Sequence, residues 1–448
     1  PTLAAAHPER AFTDPPMSRP SALGLSATAR LALVQRLARR REGGEAAAGA
    51  DPRGFAAVQN FRDWTLVRDA VDALGIDSPL FRPHEGRAGA TSLIGNRQVL
   101  NFGSYDYLGL NGDPRLHAAA TEAMARYGIS ASASRLVSGE RPPHAELERA
   151  LAAHYGAEAA LAFVSGHATN VTVIGHMMGP RDVILHDAAI HNSCVEGARL
   201  SGARRVSFPH NDLAAAEREL KAARRGAARA LILIEGHYSM DGDVPDLAGF
   251  VRLARAHDAW LMVEDAHGLG VVGATGRGVF EAAGVDPAEV DIWMGTLSKT
   301  LCACGGYITG RAEMIDWLRH TAPGFVYSVG LPPMLAASAA TALRVMAEEP
   351  WRVARLQAVA ALFRDLCRAR GLDTGGSAGL GIVPVILGSS VRAARVSAAL
   401  LDRGVNALPI VFPAVPEKSA RLRFFLSAEH EEAQVRAAVA ALVEVVDA

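Results

Sequence analysis

Asp291-Ile-Trp-Met-Gly-Thr-Leu-Ser-Lys299, continued by Thr300-Leu-Cys-Ala-Cys-Gly-Gly306, decides the reading of this chain. A short apolar run ends in small and hydroxylated residues, then in one lysine, and two glycines let the backbone pass close to whatever that lysine holds. An amine is thus presented at the end of a strand. A desolvated lysine loses its proton and attacks carbonyl carbon, which is the route to a Schiff base. Thr296 and Ser298 offer hydroxyls beside it, in a position to hydrogen-bond a phosphate. Taken alone, the stretch reads better as a surface lysine with its stem lying on apolar neighbours. The rest of the chain has to overturn that.

Upstream, three apolar runs recur in the same style. Ala160-Leu-Ala-Phe-Val164, Leu231–Ile234 and Leu261–Val263 join Ile292–Met294, separated by segments of helical spacing such as Leu247–His257. Near-continuous apolar strands of this kind are buried on both faces of a parallel sheet, with crossover helices supplying the spacing. The middle of the chain is therefore α/β. Ligands of such sheets bind beyond the carboxyl ends of the strands. The residues there are Ser239 in Glu235-Gly-His-Tyr-Ser-Met-Asp-Gly242, then Glu264, Asp265 and His267, and then Thr296, Ser298 and Lys299. Acids, an imidazole, hydroxyls and one amine converge on one edge. Ser165-Gly166-His167-Ala168-Thr169-Asn170 follows the first run and opens a helix with small residues, where free N–H groups suit a phosphate. It lacks the spacing of a nucleoside triphosphate loop.

The flanks complete the pattern. Residues 1 to about 22 lack an apolar period, Ala27–Arg41 has the spacing of a short basic helix, and Phe55–Leu74 that of an amphipathic one ending at Gly75. Val99–Leu110 reads as a strand leading into a structured loop that carries Tyr105. Pro114–Tyr127 and His144–Tyr155 read as helices closed by Gly128 and Gly156, with a small-residue loop at Ser130–Ser134 between them. From Leu335 the pattern changes to helices over Leu335–Glu349, Val353–Arg370 and Val391–Leu401, strands at Ile382–Leu387 and Ala420–Leu426, and a last helix to Val446. That is a smaller α+β domain. The expected division is a linker and helix at 1–54, an N-terminal segment at 55–110, a large domain at 111–334 and a small domain at 335–448.

Composition narrows the function classes. Half of the 448 residues are apolar, and Lys plus Arg 46 against Asp plus Glu 47 leaves a net charge of -1. No global field draws the chain to nucleic acid or an anionic membrane, so any anion has to be bound locally. Four cysteines at irregular spacing give no disulfide framework or metal set, and no long uncharged apolar segment is present. A reducing, cytoplasmic setting is expected.

The polar edge meets the needs of pyridoxal phosphate: a lysine, an acid for the pyridine nitrogen, a flat side chain over the ring, and donors for the phosphate. Five ordered motifs then carry a family resemblance: Ser165–Asn170, His186-Asp-Ala-Ala-Ile-His191, Glu235–Asp243, Glu264-Asp-Ala-His267 and Gly295-Thr-Leu-Ser-Lys299. Together they resemble the α-oxoamine synthases, a group that includes serine palmitoyltransferase and 8-amino-7-oxononanoate synthase. The resemblance implies the aminotransferase fold type I and a decarboxylative condensation of a small amino acid with an acyl thioester.

It also implies roles. Lys299 would hold the cofactor and move the α-proton, His191 would stack on the ring, Glu264 would pair with the pyridine nitrogen, and His267 would meet the ring hydroxyl. Gly166, His167, Ser239, Thr296 and Ser298 would lie at the cofactor, and Ser328, in Phe325–Pro333, would reach the phosphate of a partner subunit in a homodimer. Arg421 would hold the substrate carboxylate, with Arg423 on the same face, and Tyr105 would touch substrate. The family usually has Asp at 264 and a small apolar residue at 237, where this chain has Glu264 and His237. His210 and His257 are expected to be satisfied surface or core histidines. The N-terminal helix and linkers resemble oxoamine synthase modules of polyketide assembly lines, which implies an acyl carrier protein as donor beside coenzyme A. Transamination, aldol cleavage and a non-catalytic scaffold role are the competing readings.

Overall fold

The computed structural model describes residues 79–447 continuously and, before them, only Arg53, Gly54, Phe55, Val58, Phe61, Trp64, Thr65 and Arg68. The tail, the Ala27–Arg41 helix and most of the Phe55–Leu74 helix lie outside the described residues. The chain divides between Pro79 and Leu80, and the second unit, Leu80–Ala448, carries the strands and the polar edge.

Two short strands, β1 (Thr91–Ile94) and β2 (Arg97–Asn101), pair antiparallel. Asn96, at φ 62, turns the chain between them. The central sheet follows: β3 (Ala159–Phe163), β4 (Val183–Asp187), β5 (Arg204–Phe208), β6 (Ala230–Glu235), β7 (Trp260–Glu264), β8 (Ile292–Thr296) and β9 (Gly306–Gly310). Its order is β3-β9-β8-β7-β6-β4-β5. Strands β5, β4, β6, β7 and β8 run parallel, whereas β9 runs antiparallel to both β3 and β8. Every residue of β6 and of β8 is buried, as an α/β sheet covered on both faces requires. Each fully buried Leu, Ile or Val there contributes about 1.5–3 kcal/mol relative to exposure.

Three strands of this sheet were not foreseen. Val183–Asp187 contains the start of the His186–His191 motif, Arg204–Phe208 is an edge strand with two exposed arginines, and Gly306–Gly310 begins and ends in glycine. Glycines in β8 and β9 depress strand propensity but are forced by contact: a Cβ on Gly306 would meet the Gly166 Cα at 2.6 Å, and one on Gly295 the Tyr307 hydroxyl at 2.2 Å.

The outer region is α+β. Strands β10 (Ile382–Ile386), β12 (Leu408–Ile410) and β13 (Arg421–Phe425) form an antiparallel sheet in the order β10-β13-β12. Strand β11 (Val405–Asn406) instead pairs in parallel with β2, so the N-terminal strands share a sheet with the C-terminal region. Helices cover Pro333–Glu348, Trp351–Ala369, Ser390–Asp402 and Glu432–Asp447, close to their expected limits. No helix among the described residues is long and apolar enough to cross a membrane.

Candidate functional site

Strands β4, β6, β7 and β8 end together, and their last residues build the site. Register places Glu235 of β6 opposite Glu264 of β7, and Glu264 opposite Met294 of β8. Lys299 follows β8 on a closed turn: Leu297 N–H donates to the Gly305 carbonyl, Ala303 N–H to the Leu297 carbonyl, and the Thr296 hydroxyl to Gly305 at 2.9 Å. The residue keeps some exposed surface, but its amine is surrounded by protein. Burial therefore lowers its pKa to about 8, against the pull of Glu264 and Glu235 and with the help of Arg423.

The carboxylates respond in the opposite sense. Burial raises the pKa of Glu264, and Lys299 and the Ala266 N–H only partly offset it. Burial together with Glu264 raises Glu235 well above the carboxylate range. Asp265, the spare acid next in sequence, belongs elsewhere. It is fully buried, and a Cβ on Gly236, Gly268 or Gly278 would come within 2.0, 1.8 or 2.3 Å of its oxygens. Strand alternation thus sends Glu264 to the amine and Asp265 into a glycine cage on the other side.

His267 lies beneath the loop after β2. The Tyr107 hydroxyl meets its Nδ1 at 2.7 Å, and burial, with Lys299 and Arg423 nearby, drives its pKa well down. A neutral ring accepting from Tyr107 at Nδ1 carries its proton on Nε2, ready to donate. His191 caps the helix Asn192–Ser201. The residue is exposed overall, yet partial burial of the ring, with Lys299, His167 and Arg423 nearby, holds its pKa to about 4. Tyr105 closes the other side. Its ring centroid is 5.8 Å from the Lys299 Nζ and 5.9 Å from the His267 ring, and it packs edge-on against Phe425 at 4.7 Å.

At the far end, Ser165 caps the helix Gly166–Met177. A Cβ on Gly166 would lie 2.9 Å from the Thr296 hydroxyl, which in turn shares a 2.7 Å hydrogen bond with Ser298. Helix N–H groups, two hydroxyls and an absence of side-chain bulk meet there, a donor set that fits a phosphate. Desolvated amine, buried acid, two imidazoles and this cradle together fit pyridoxal phosphate. Ser239 is buried in the loop after β6, its N–H held by Glu235 Oε2 at 3.0 Å. Ser328 lies in a crevice with Arg135, Val164 and Gly330.

The two arginines of β13 are held differently. Arg421 is committed: it donates to Asp241 Oδ1, to the Met240 carbonyl at 3.0 Å and to the Ser419 carbonyl at 2.8 Å. Arg423 donates to the Ser239 carbonyl at 2.7 Å and keeps its buried Nε without a partner. It is also the arginine that Lys299, His191 and His267 all feel. Alternation on β13 put both on one face, and only the partners of each could separate them. Glu235 and Tyr107 were missed as well. Glu235 stood in plain view at the head of the Glu235–Asp243 motif, one register step from Glu264, and Tyr107 two residues beyond Tyr105.

Residues 97–442 match the aminotransferase class I and II family. The 8-amino-7-oxononanoate synthase of Methylorubrum extorquens is 46% identical over 351 residues, covering 78% of this chain and 87% of that protein. That of Alcanivorax borkumensis is 41% identical over 360 residues, covering 80% and 92%. A serine palmitoyltransferase solved with pyridoxal phosphate as an internal aldimine superposes with a TM-score of 0.83 at 28% identity, covering 88% of this chain and 98% of that one. The chain belongs to the aminotransferase class I and II family, a fold type I enzyme class that uses pyridoxal phosphate. Within it, the chain is an α-oxoamine synthase, a C-acyltransferase that condenses an amino acid with an acyl thioester.

Proposed function

We propose that this site joins a small amino acid, alanine first, to the acyl group of a thioester, with loss of the amino acid's carboxyl as carbon dioxide. The choice of alanine follows from product chemistry. Cutting 8-amino-7-oxononanoate, for which the sequence relatives are named, between C7 and C8 leaves a seven-carbon acyl chain and a two-carbon amine that is alanine without its carboxyl. The thioester is carried on coenzyme A or on an acyl carrier protein, as in polyketide assembly.

When bound, pyridoxal phosphate supplies an electron sink for the carbanion at the α-carbon. The chain's own residues do the rest. Lys299, with a pKa of about 8, holds the cofactor and takes and returns the α-proton near neutral pH. Glu264 would pair with the pyridine nitrogen, His191 would lie over the ring, and His267 would donate from Nε2 to the ring hydroxyl. Gly166, His167, Thr296, Ser298 and Ser239 hold the phosphate end. Arg423, in place of Arg421, orients the substrate carboxylate, and Tyr105 narrows the space over the amine. The carrying observation is the convergence of a desolvated amine and two buried acids at the ends of β6, β7 and β8 with one incompletely paired arginine from the middle of β13.

A homodimer is part of this reading. Tyr327, Val329, Ile129 and Val137 are 86%, 50%, 70% and 81% exposed. They lie on two segments tied together by Gly330 N–H to Ala133 O and by the Ser134 hydroxyl to Val326 O. A second copy would cover them and bring Ser328 toward its phosphate. The large domain through residue 334 and the small domain from 335 would close on the substrate.

The test is an assay of free thiol and carbon dioxide with alanine, glycine or serine, each against acyl-coenzyme A and acyl carrier protein, beside sedimentation of the holoenzyme. Stoichiometric release of both products, fastest with alanine, is expected. No release with any pair overturns the residue roles, and a monomer overturns the dimer.

A further inference from the structure

Strand β5 ends at Phe208, and the chain turns through Pro209, His210 and Asn211 before Asp212 caps the helix Leu213–Ala223. Asn211 takes φ 53, a left-handed conformation that Asn tolerates because its side chain bonds locally. The turn pushes His210 between two carboxylates on different loops. Its Nδ1 lies 2.9 Å from Asp187 Oδ1 and its Nε2 2.9 Å from Asp243 Oδ2. Asn211 repeats the bridge with its N–H on Asp187 Oδ2 at 2.8 Å and its amide on Asp243 Oδ2 at 2.6 Å.

Each of the two aspartates holds a loop of the site. Asp187, fully buried at the end of β4, also takes the Ala189 N–H at 2.7 Å, and so shapes the turn that delivers His191. Asp243 closes the loop after β6: its carbonyl accepts the Tyr238 N–H at 3.0 Å and His237 Nδ1 at 3.1 Å. That same loop offers the Ser239 carbonyl to Arg423 and Asp241 to Arg421. Tyr238 completes the surround, its hydroxyl on Asp187 at 3.0 Å and its ring edge-on to His210 at 4.4 Å. An imidazole with both nitrogens on carboxylates is a cation.

We propose that His210 is a positioning residue of the reaction: by bridging Asp187 and Asp243 it locks the loop that delivers His191 to the loop that seats Arg423, and so fixes where the substrate carboxylate meets the arginine. The proposal rests on the role given above to Arg423. Burial disfavours the His210 charge, but the hydrogen bonds to Asp187 and Asp243 outweigh it and hold the pKa at about 10, so the bridge persists across physiological pH.

The test uses the holoenzyme with His210→Gln, which removes the cation, His210→Lys, which keeps one, and Asp243→Asn, which leaves the Asp187 pair intact should the Gln variant fail to fold. Amino acid affinity is read by spectral titration, and propionate, a carboxylate without an amine, by competition. Hydrogen exchange of Ala189, Tyr238 and Gly242 is followed with and without cofactor. His210→Gln is expected to weaken alanine and propionate about tenfold while kcat stays within about twofold, to speed exchange in both loops, and to be largely rescued by His210→Lys. Unchanged affinities with only a lower melting temperature, or a Lys variant as poor as Gln, overturn the proposal. If Arg423→Ala leaves propionate binding unchanged, the role of Arg423 has failed, and exchange in the two loops alone decides whether His210 joins them.

Discussion

The carboxyl edge of the central sheet and the face of β13 both supply charged groups to one cleft, but they hold them differently. Glu235, Glu264 and Lys299 leave adjacent parallel strands whose backbone ladders fix their spacing. Arg421 and Arg423 come from a separate antiparallel sheet, and their guanidiniums are aimed by carbonyls and a carboxylate of the loop after β6. Groups supplied by the sheet are therefore placed by register, whereas those supplied by β13 are placed by side-chain hydrogen bonds across a junction.

The largest expected effect breaks the sheet's side of this comparison. Lys299→Ala should lower turnover by roughly 10²–10⁴-fold, the size of a lost proton-transfer group, with the melting temperature of the cofactor-free chain little changed. Assay beside calorimetry checks it. On the β13 side, Arg423→Ala should raise the amino acid KM about 10- to 100-fold, as loss of a charge-assisted hydrogen bond predicts, at near-constant kcat. Arg421→Ala should instead cost roughly 2 kcal/mol of stability by leaving Asp241 unpaired, with less than about a fivefold change in KM. Reversal of this pattern would return the carboxylate to Arg421.

Acidity sharpens the comparison. Capture of pyridoxal phosphate by the cofactor-free chain, followed by absorbance, should accelerate with pH and level off above about 8, where the Lys299 amine is neutral. Stability moves in the same direction. Between about 8 and the ordinary lysine range the folded chain binds fewer protons at this site than the unfolded one, so the residue's contribution to stability grows with pH there. A capture profile still rising at pH 10 would show an ordinary, solvated amine. The smallest effect belongs to His237, fully buried with Nε2 unpartnered. His237→Val should be neutral or stabilising by about 1 kcal/mol, with kcat/KM within about threefold. A large loss of activity would give that imidazole a chemical role.

The two regions also differed in how legible they were. Buried parallel strands announce themselves as unbroken apolar runs, so the ends of β6, β7 and β8, and the polar residues just past them, were readable from the chain. Strand β9 was not, because Gly306 and Gly310 are dictated by what packs against them, and contact leaves no periodic signal. Strand β5, at the sheet's edge, carries Arg204 and Arg205 outward and lacks an apolar run. Two arginines at alternate positions of one strand look alike until the partners that engage one of them are known. His210 was rightly taken as a satisfied histidine, but its partners lie 23 and 33 residues away and no local pattern reveals them.

The turn that bears Lys299 has hydrogen-bonded strands on both of its flanks. Anchored in this way, the reactive nitrogen behaves as a fixed point of the molecule, and displacing it would mean unzipping β8 from β9. Opening of the cleft to admit substrate and release product would then fall to the outer layer with its arginines.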